Sequence, residues 1–352
     1  MSRFLTERYK ELRVYKPGEQ PADYSKFIKL NTNESPYPPS KRVIEAINSN
    51  EIEKLNLYPP LETESLKSKL AVLYGISREN IFLSNGSDEI LSFAFLAFFS
   101  NGVRVAFADI TYGFYKVYSR LYGCDDNIIP LSSDFSLRVS DYVGLNENIV
   151  IANPNAPTGL YLPVADIEEI VKSNKNNLVI VDEAYIDFGG ESSARLIEEY
   201  DNLLVVQTFS KSRSLAGARL GFAIGQKDLI DDLNRIKYST NPYNINRLTI
   251  LAGEAALDDS GYYKECCEKI TKSRIYLTEK LKEMGFVVLN SKANFIFTKP
   301  FGITASDLYL KLKNNGILIR YFKQSRIEEY VRISIGTQEQ TERLLFEIER
   351  LI

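Results

Sequence analysis

Short apolar runs separated by helical patterns constrain the fold of this chain more than any other feature. They recur between about residues 81 and 225 as IFLS, VRVAFA, IVIAN, LVIVD, LLVVQT and LGFAIG. Strands that are apolar along nearly their whole length are typical of a parallel sheet covered on both faces. The succession predicts an α/β fold with a mostly parallel central sheet, and helices over 87–98, 112–122 and 163–172.

The rest of the chain divides into an N-terminal segment and a C-terminal segment. Residues 1–40 combine a short polar helix with a proline-rich arm, NTNESPYPPS, which must pack on the protein body or on a second subunit. Beyond the predicted sheet the chain is mostly helical, with a long helical segment over about 246–285, and then strands and helices alternate again. We therefore predict a large domain over 41–285 and a small α+β domain over 286–352.

The complete absence of histidine excludes several kinds of catalytic site. Histidine-containing nucleophile systems and histidine-ligated zinc or haem cannot exist, so a general base must be Lys, Asp, Glu, Tyr or a cofactor group. The three cysteines lack the spacing of a metal site or a disulfide framework, and no metal is expected. Because 43 basic residues face 46 acidic ones, no basic excess favours nucleic acid as a partner.

The sequence also gives no reason to expect a membrane partner or export. The N-terminus is charged throughout and lacks the apolar core of a secretory signal. The most apolar run, ILSFAFLAFF at 90–99, is too short to cross a bilayer and indicates a buried helix. We expect a cytoplasmic protein.

Four polar clusters follow predicted strands, at the edge of an α/β sheet where ligands bind. In SNGSDEIL, Ser87 and the first amides of a helix can hold an anion or simply cap the helix. The loop NPNAPTG at 153–159 is either a connection or a ligand-facing wall. Asp182 closes LVIVD and, if buried, needs a cationic partner. Lys211 and Arg219 share a loop system; they are suited to a Schiff base and a phosphate, although a loop lysine is usually only solvated.

Together these clusters resemble the fold-type I pyridoxal-phosphate enzymes and, more narrowly, the histidinol-phosphate aminotransferases of histidine biosynthesis. The similarity runs from LNTNESPYPPS to VRISIGTQEQTERLL and includes, in the family's order, LYPP, SNGSDEI, TYGFY, NPNAPTG, VDEAYIDF, TFSK, LAGARLG and ANFIF. The resemblance implies pyridoxal 5'-phosphate as cofactor and a homodimer with shared active sites. It also implies that L-histidinol phosphate is the amino donor and 2-oxoglutarate the acceptor, giving imidazole-acetol phosphate and L-glutamate.

The resemblance implies a role for each matching residue. Lys211 would hold the cofactor through a Schiff base and move the proton during the reaction. Asp182 would pair with the pyridine nitrogen, and Tyr185 would bond the phenolic oxygen. The other implied cofactor-binding residues, with Tyr58 reaching over from the second subunit, are Ser87, Asp88, Tyr112, Asn155, Ser210, Arg219 and Tyr58. The implied substrate-binding residues are Arg332, Arg320 and Asn33.

One position departs from the family's pattern within the NPNAPTG loop. Ala156 stands where the family usually has the asparagine that bonds the phenolic oxygen of the cofactor. Tyr185 would then make this contact alone, unless Asn155 or a water molecule replaces the missing amide.

Three other functions stay open at this point. An aromatic amino-acid aminotransferase would use the same residues with a different substrate pocket. A pyridoxal-phosphate decarboxylase of the phosphothreonine type would release CO2 and need no keto acid. A cofactor-binding regulator would have lost turnover, but the intact Lys211, Asp182, Tyr185 and Arg219, without a visible DNA-binding segment, argue against it.

Overall fold

The structure is a computed structural model, which describes residues 2–10, 12, 15 and 17–352, apart from the side chains of Arg8 and Ser25. Within these residues there are thirteen short strands and twelve α-helices. The strands are β1 Ile28–Lys29, β2 Ile81–Ser84, β3 Arg104–Ala108, β4 Asp125–Ile129, β5 Asn148–Ala152, β6 Val179–Asp182, β7 Leu203–Thr208, β8 Gly221–Gly225, β9 Val287–Val288, β10 Phe295–Lys299, β11 Ile317–Leu318, β12 Arg320–Tyr321 and β13 Val331–Ser334.

The helices alternate with the strands and cover both faces of the larger sheet. They are α1 Glu7–Lys10, α2 Lys41–Ala46, α3 Ser49–Ile52, α4 Glu64–Tyr74, α5 Ser87–Ala94, α6 Phe114–Tyr122, α7 Val164–Ser173, α8 Lys227–Thr240, α9 Arg247–Asp258, α10 Ser260–Glu283, α11 Ala305–Asn314 and α12 Gln338–Glu349. The predicted segment 1–40 falls partly outside the described residues, at positions 1, 11, 13, 14 and 16.

The central sheet has the strand order β2-β8-β7-β6-β5-β3-β4. All its neighbouring pairs are parallel except those of β8, which runs antiparallel to both β2 and β7. The predicted α/β fold with a mostly parallel sheet is therefore confirmed. The six predicted strands of this sheet are observed within one residue of their predicted ends, whereas β4 was missed. Its sequence, DDNII, begins with two acidic residues because this edge strand is only partly buried.

Neighbouring residues of the central strands pack into different apolar clusters. Val179 and Val181 belong to the cluster on one face of the sheet, and Ile180 belongs to the cluster on the other. Both faces are covered, so every position of such a strand favours an apolar side chain. The run at 90–99 is buried as expected, since α5 continues into a π-helical turn over Phe95–Phe99.

A second, smaller sheet carries the C-terminal part of the fold. Its strand order is β12-β13-β10-β9, all antiparallel, and the arm strand β1 pairs in parallel with β11 beside it. Leu30 of the arm lies in the apolar cluster of this region. The same cluster includes Ile270, Leu277 and Leu281 of α10. The boundary at residue 285 stays a prediction, and the second half of α10 packs with the residues that follow it.

Arg326 joins the C-terminal part of the chain to the central sheet. Its guanidinium forms an ion pair with Asp109 and donates to the carbonyl oxygens of Leu131 and Ser132 at 2.8 and 3.0 Å. This contact holds the loop around residues 322–327 against the carboxyl end of the sheet. No helix within the described ranges is both long enough and apolar enough to cross a membrane.

The antiparallel strand β8 approaches the start of α5 so closely that its first residue must be glycine. A Cβ atom on Gly221 would lie 2.5 Å from the carbonyl carbon of Gly86 and 2.5 Å from the amide nitrogen of Ser87. Both obstacles are backbone atoms, which cannot move aside as a flexible side chain can. The contact places the beginning of α5 beside the loop that precedes β8.

We expect Gly221→Ala to lower the free energy of unfolding by about 1–3 kcal/mol, because the added methyl group forces two backbone segments apart. Urea-induced unfolding followed by circular dichroism measures the change. Gly261→Ala is the matched control, since a Cβ there meets no heavy atom within 4 Å, and it should raise stability by up to about 1 kcal/mol through helix propensity. Equal stability of the two variants would contradict the packing argument.

Candidate active site

A cavity of about 690 Å³ lies where the carboxyl ends of β5, β6 and β7 meet the N-terminal arm and the C-terminal sheet. This is the edge at which α/β sheets bind ligands. Eleven of the thirteen predicted site residues line it: Asn33, Ser87, Asp88, Tyr112, Asp182, Tyr185, Ser210, Lys211, Arg219, Arg320 and Arg332. The fold thus brings together residues that are up to about 300 positions apart in the sequence.

Asp182 is a buried carboxylate at the end of β6. It is 5% exposed, accepts a hydrogen bond from the hydroxyl of Tyr115 at 2.8 Å, and accepts a second from the amide of Ala184 at 3.2 Å. No basic side chain within the described part of the chain forms an ion pair with it. Burial is the main reason that the pKa of Asp182 rises to about 6. A cationic group in the cavity would restore its usual ionisation.

An anion-binding corner forms where α5 begins. Gly86 is the N-cap of the helix and has no side chain with which to cap it. The first amides of α5 and the hydroxyl of Ser87 therefore lie at the positive end of the helix dipole. The guanidinium of Arg219 meets the same corner, and its Nη2 donates to Asp88 Oδ2 at 3.1 Å. This arrangement suits a phosphate group.

Two further side chains complete this corner. The hydroxyl of Tyr112 donates to Asp88 Oδ1 at 2.7 Å, which fixes the tyrosine ring at the cavity wall. The buried hydroxyl of Ser210 accepts from the hydroxyl of Thr208 at 2.9 Å. Its own O–H can therefore donate to an anion in the cavity.

Lys211 lies between the anion corner and the arm. Its Nζ is 3.5 Å from the carbonyl oxygen of Thr32 and 5.7 Å from the centre of the Tyr185 ring. Neither contact is an ion pair, so the amine faces a cavity rather than a fixed counter-ion. The predicted alternative, a lysine that is merely solvated in a loop, does not describe this half-buried position.

Two guanidinium groups from the C-terminal sheet form the opposite side of the cavity. Arg332 stacks on the rings of Phe295 and Phe322 at 5.3 and 5.8 Å and donates to the carbonyl oxygen of Asn31 at 3.0 Å. Its Nε is buried and has no hydrogen-bond partner among the described residues. Arg320 stacks on Phe322 at 5.3 Å and donates to the carbonyl oxygen of Pro17. The pair is suited to a ligand that carries a phosphate or a carboxylate.

Two predicted site residues do not line this cavity. Asn155 turns its amide away from the cavity: it donates to the carbonyl oxygen of Ile110, which follows β3, and to the hydroxyl of Thr158 in its own loop, both at 3.0 Å. It therefore cannot replace the amide that Ala156 lacks. Tyr58 is 77% exposed and stacks on Tyr243 at 4.5 Å. Within this one chain it faces outward.

Two tyrosines at the site were not predicted from the sequence: Tyr115, which is buried behind Asp182, and Tyr15, which lines the cavity. Tyr115, the last residue of TYGFY, is the partner of Asp182, and its three-residue spacing from Tyr112 was the available signal. Tyr15 lines the cavity beside Arg332 and Arg320. Burial raises the pKa of Tyr15, and the positive charges of the two arginines partly offset this rise. No local sequence pattern marks Tyr15, because it reaches the cavity only through contacts with residues that lie far later in the chain. The described residues contain no cluster of three or more potential metal ligands.

The fold and the site together define a fold-type I, pyridoxal-phosphate-dependent aminotransferase. The chain belongs to the family of class I and II aminotransferases, whose model matches residues 25–348. The resemblance stated from the motifs is thereby confirmed.

Full-length relatives narrow this similarity. A histidinol-phosphate aminotransferase of Brachyspira hyodysenteriae is 52% identical over 100% of this chain and 99% of its own length. A protein of the same name from Clostridium acetobutylicum is 50% identical, with 100% of both chains covered. A solved structure of histidinol-phosphate aminotransferase from Sinorhizobium meliloti, in complex with pyridoxal-5'-phosphate, has a TM-score of 0.88 at 22% identity. It covers 100% of this chain and 99% of that chain, which shows the shared fold.

The raised pKa of Asp182 predicts how stability depends on pH in the protein without cofactor. Because this pKa is about 6 when folded, against 3.8 in an exposed aspartate, the folded state holds its proton more tightly. The stability that protonated Asp182 contributes is therefore lost as pH rises from about 4 to about 6. We expect Asp182→Asn to match the native protein near pH 4 and to exceed its free energy of unfolding by about 3 kcal/mol at pH 7.

Urea unfolding of cofactor-free protein at several pH values measures this difference. Glu183→Gln is the matched control: burial raises the pKa of Glu183 to about 7, so its effect should still grow between pH 6 and pH 7 while that of Asp182→Asn levels off. A difference between native protein and Asp182→Asn that stays constant with pH would contradict the assignment.

Proposed function

We propose that this chain transfers the amino group of L-histidinol phosphate to 2-oxoglutarate, giving imidazole-acetol phosphate and L-glutamate. The full-length relatives at 52% and 50% identity bear the name histidinol-phosphate aminotransferase. The observation that carries the proposal is the cavity itself, in which Lys211 and the buried carboxylate of Asp182 share one space with two separate anion-binding groups.

The residues of this cavity fit pyridoxal 5'-phosphate. Its phosphate matches the start of α5 together with Ser210 and Arg219, and its ring nitrogen, when protonated, is the cation that buried Asp182 lacks. Its aldehyde is the group with which a lysine amine such as that of Lys211 condenses. Tyr185 supplies a hydroxyl for the phenolic oxygen.

In the proposed reaction the chain's own residues bind, orient and move protons. The bound cofactor supplies an electron sink that makes the proton on the substrate's Cα acidic. The amine of Lys211, which faces the cavity and forms no ion pair with a described residue, removes that proton. Asp182 keeps the ring nitrogen protonated because two oxygen atoms of a buried carboxylate favour a facing cation. Tyr112, fixed by Asp88, lies along the wall.

The two guanidinium groups favour a donor that carries a phosphate. The Nε of Arg332 is buried without a partner among the described residues, and Arg320 lies on the same aromatic ring, so the two guanidinium groups can meet one doubly charged group. The same pair can bind the carboxylate of the keto acid that follows in the cycle. A purely aromatic donor carries no anionic group that could pair with these two cations, whereas a phosphate can accept hydrogen bonds from both.

We also propose that the protein is a cytoplasmic homodimer whose subunits share their sites. Several large apolar side chains between residues 44 and 73 are exposed, among them Tyr58 and Val72 at 77% and 85%, and exposed apolar surface favours a protein interface where it is contiguous. None of the three cysteines, all of which lie in the described part of the chain, forms a disulfide bond, as is usual in a reducing compartment. We further propose that residues 41–285 and 286–352 act as a large and a small domain, and that the arm over 1–40 packs on the small domain or on the partner subunit.

A half-reaction tests the proposed chemistry and substrate. Native protein with pyridoxal 5'-phosphate should show the cofactor's absorption band, and L-histidinol phosphate alone should convert it stoichiometrically until 2-oxoglutarate reverses the change. Lys211→Ala should slow the conversion at least about 1,000-fold, because the base is lost. Lys227→Ala, an exposed lysine paired with Asp231, should behave as native protein.

The alternatives predict different results in the same assay. Conversion by phenylalanine or tyrosine but not by histidinol phosphate would identify an aromatic aminotransferase. Release of CO2 from O-phosphothreonine without a keto acid would identify a decarboxylase. A stable band that no amino donor converts would identify a regulator.

Mixed dimers test whether the subunits share their sites. If Tyr58 of one subunit serves the site that contains Lys211 of the other, a dimer of one Lys211→Ala subunit and one Tyr58→Ala subunit has one fully native site. Mixing the two variants, unfolding them together and refolding them should therefore restore activity towards about a quarter of the native value, from the half of the dimers that are mixed. Activity no higher than the average of the separate variants would contradict shared sites.

A further inference from the structure

The contacts of Asn33 differ from those expected of a substrate-binding residue. Its side chain is 2% exposed, and its Nδ2 donates to the hydroxyl oxygen of Tyr185 at 3.0 Å. Asn33 comes from the arm, whereas Tyr185 follows β6, so the bond spans 152 positions of sequence. A donated N–H occupies an acceptor site of the tyrosine oxygen and leaves the tyrosine's own O–H for another partner.

The orientation of the Asn33 amide is determined by Ser334. The hydroxyl of Ser334 donates to Asn33 Oδ1 at 2.9 Å and accepts from the backbone amide of Asn33 at 2.9 Å. Because Oδ1 is occupied in this way, a flipped amide would lose the bond from Ser334 and present an oxygen to Tyr185. The hydrogen-bond network therefore assigns the N–H, rather than the oxygen, to the side facing Tyr185.

The backbone of Asn33 is also held in an uncommon conformation. Its φ is 57°, in the left-handed region that asparagine tolerates better than most residues. Its carbonyl oxygen accepts from Asn294 Nδ2 at 3.0 Å. The contacts from Ser334 and Asn294 maintain this conformation and aim the side chain at Tyr185.

The position of Ala156 makes this bond more important than it would otherwise be. Ala156 is 6% exposed and forms a small apolar cluster with Ala293 and Phe295, against which Tyr185 packs. The rings of Tyr185 and Phe295 meet edge to face at 5.0 Å. This side of Tyr185 offers methyl and ring atoms but no amide, and Asn155 turns its amide away.

We propose that Asn33 is a positioning residue that acts through Tyr185: its amide holds the tyrosine so that the tyrosine's O–H points into the cavity and donates to the phenolic oxygen of the cofactor. In this way the amide of Asn33 supports the hydrogen bond from Tyr185 to the phenolic oxygen, an oxygen to which an asparagine at position 156 would also donate. This inference rests on the proposed function, because it needs the cofactor in this cavity.

The test uses isosteric replacement in the complete protein loaded with cofactor. Asn33→Asp keeps the shape and tolerates the left-handed backbone, but its carboxylate accepts a hydrogen bond and so draws the O–H of Tyr185 away from the cavity. The readout is the pH midpoint of the absorption change of the bound cofactor, which reports the proton shared between the nitrogen of Lys211 and the ionised phenolic oxygen. We expect the midpoint to rise by roughly 0.5–1 pH unit, because a donor to the ionised oxygen is lost.

Three further variants separate positioning from a structural role. Asn33→Gly accepts the same φ without any side chain and should raise the midpoint by a smaller amount, because the tyrosine O–H is only less well oriented. Asn33→Asp should cause no further rise in a Tyr185→Phe background. Ala156→Asn added to Asn33→Asp should bring the midpoint back towards the native value, because it supplies a second donor.

The other groups that face Tyr185 are unchanged in the Asn33 variants. Lys211 lies 5.7 Å from the ring centre, and Arg332, Tyr15 and Tyr115 are close enough to interact electrostatically with the phenol. In the steady state the loss should fall mainly on kcat, with KM for the amino donor changing less than about twofold, because Asn33 acts through Tyr185.

The outcomes distinguish this inference from the proposed function. A native midpoint in both Asn33→Asp and Asn33→Gly, or an equal rise for Asn33→Asp with and without Tyr185, would overturn the positioning role while leaving the aminotransferase intact. A rise in KM with kcat unchanged would return Asn33 to direct substrate binding. Failure of native protein to develop a cofactor band would overturn the proposed function and this inference with it.

Discussion

The burial of one carboxylate determines much of the architecture around the site. Asp182 ends a strand that is apolar on both faces, so its charge lies in a region from which water is largely excluded. Leaving such a group without partners costs several kcal/mol. Tyr115 from α6 and the amide of Ala184 satisfy its oxygens, and the phenol of Tyr115, whose pKa burial raises well above 10, stays a donor. The cationic partner that the carboxylate of Asp182 favours has to come from the bound ligand.

The cavity depends equally on contacts between distant parts of the chain. The arm enters the C-terminal sheet region through β1 and delivers Asn33 to Tyr185, while Arg326 holds the loop over residues 322–327 to the carboxyl end of the central sheet. Arg332 is then placed between two aromatic rings opposite Lys211. None of these side chains is positioned by its own strand or helix alone. The site therefore requires the N-terminal arm, the central sheet and the C-terminal sheet together.

Much of the fold and most of the site were predictable because their signals are local. A strand buried on both faces requires an unbroken apolar run, and a loop that follows such a strand lies at the ligand-binding edge. Their positions therefore made Lys211 and Asp182 candidates, and the family resemblance supplied their roles. The edge strand β4 was missed because its half-exposed face admits Asp125 and Asp126. Asn155 was misplaced because the sequence does not show whether a loop amide bonds its own loop or the cavity.

The amino-acid sequence alone determined the class of fold, the edge of the sheet that binds ligands and the residue types available for chemistry, because these follow from apolar periodicity and from the total absence of histidine. Only the tertiary structure decided which amide supports Tyr185, which tyrosine donates to Asp182 and which nitrogen of Arg332 has no partner among the described residues. Such pairings depend on ångström-scale distances between segments as much as 301 positions apart. The free energy of a hydrogen bond falls steeply with distance and angle, and no sequence pattern encodes either across so long a separation.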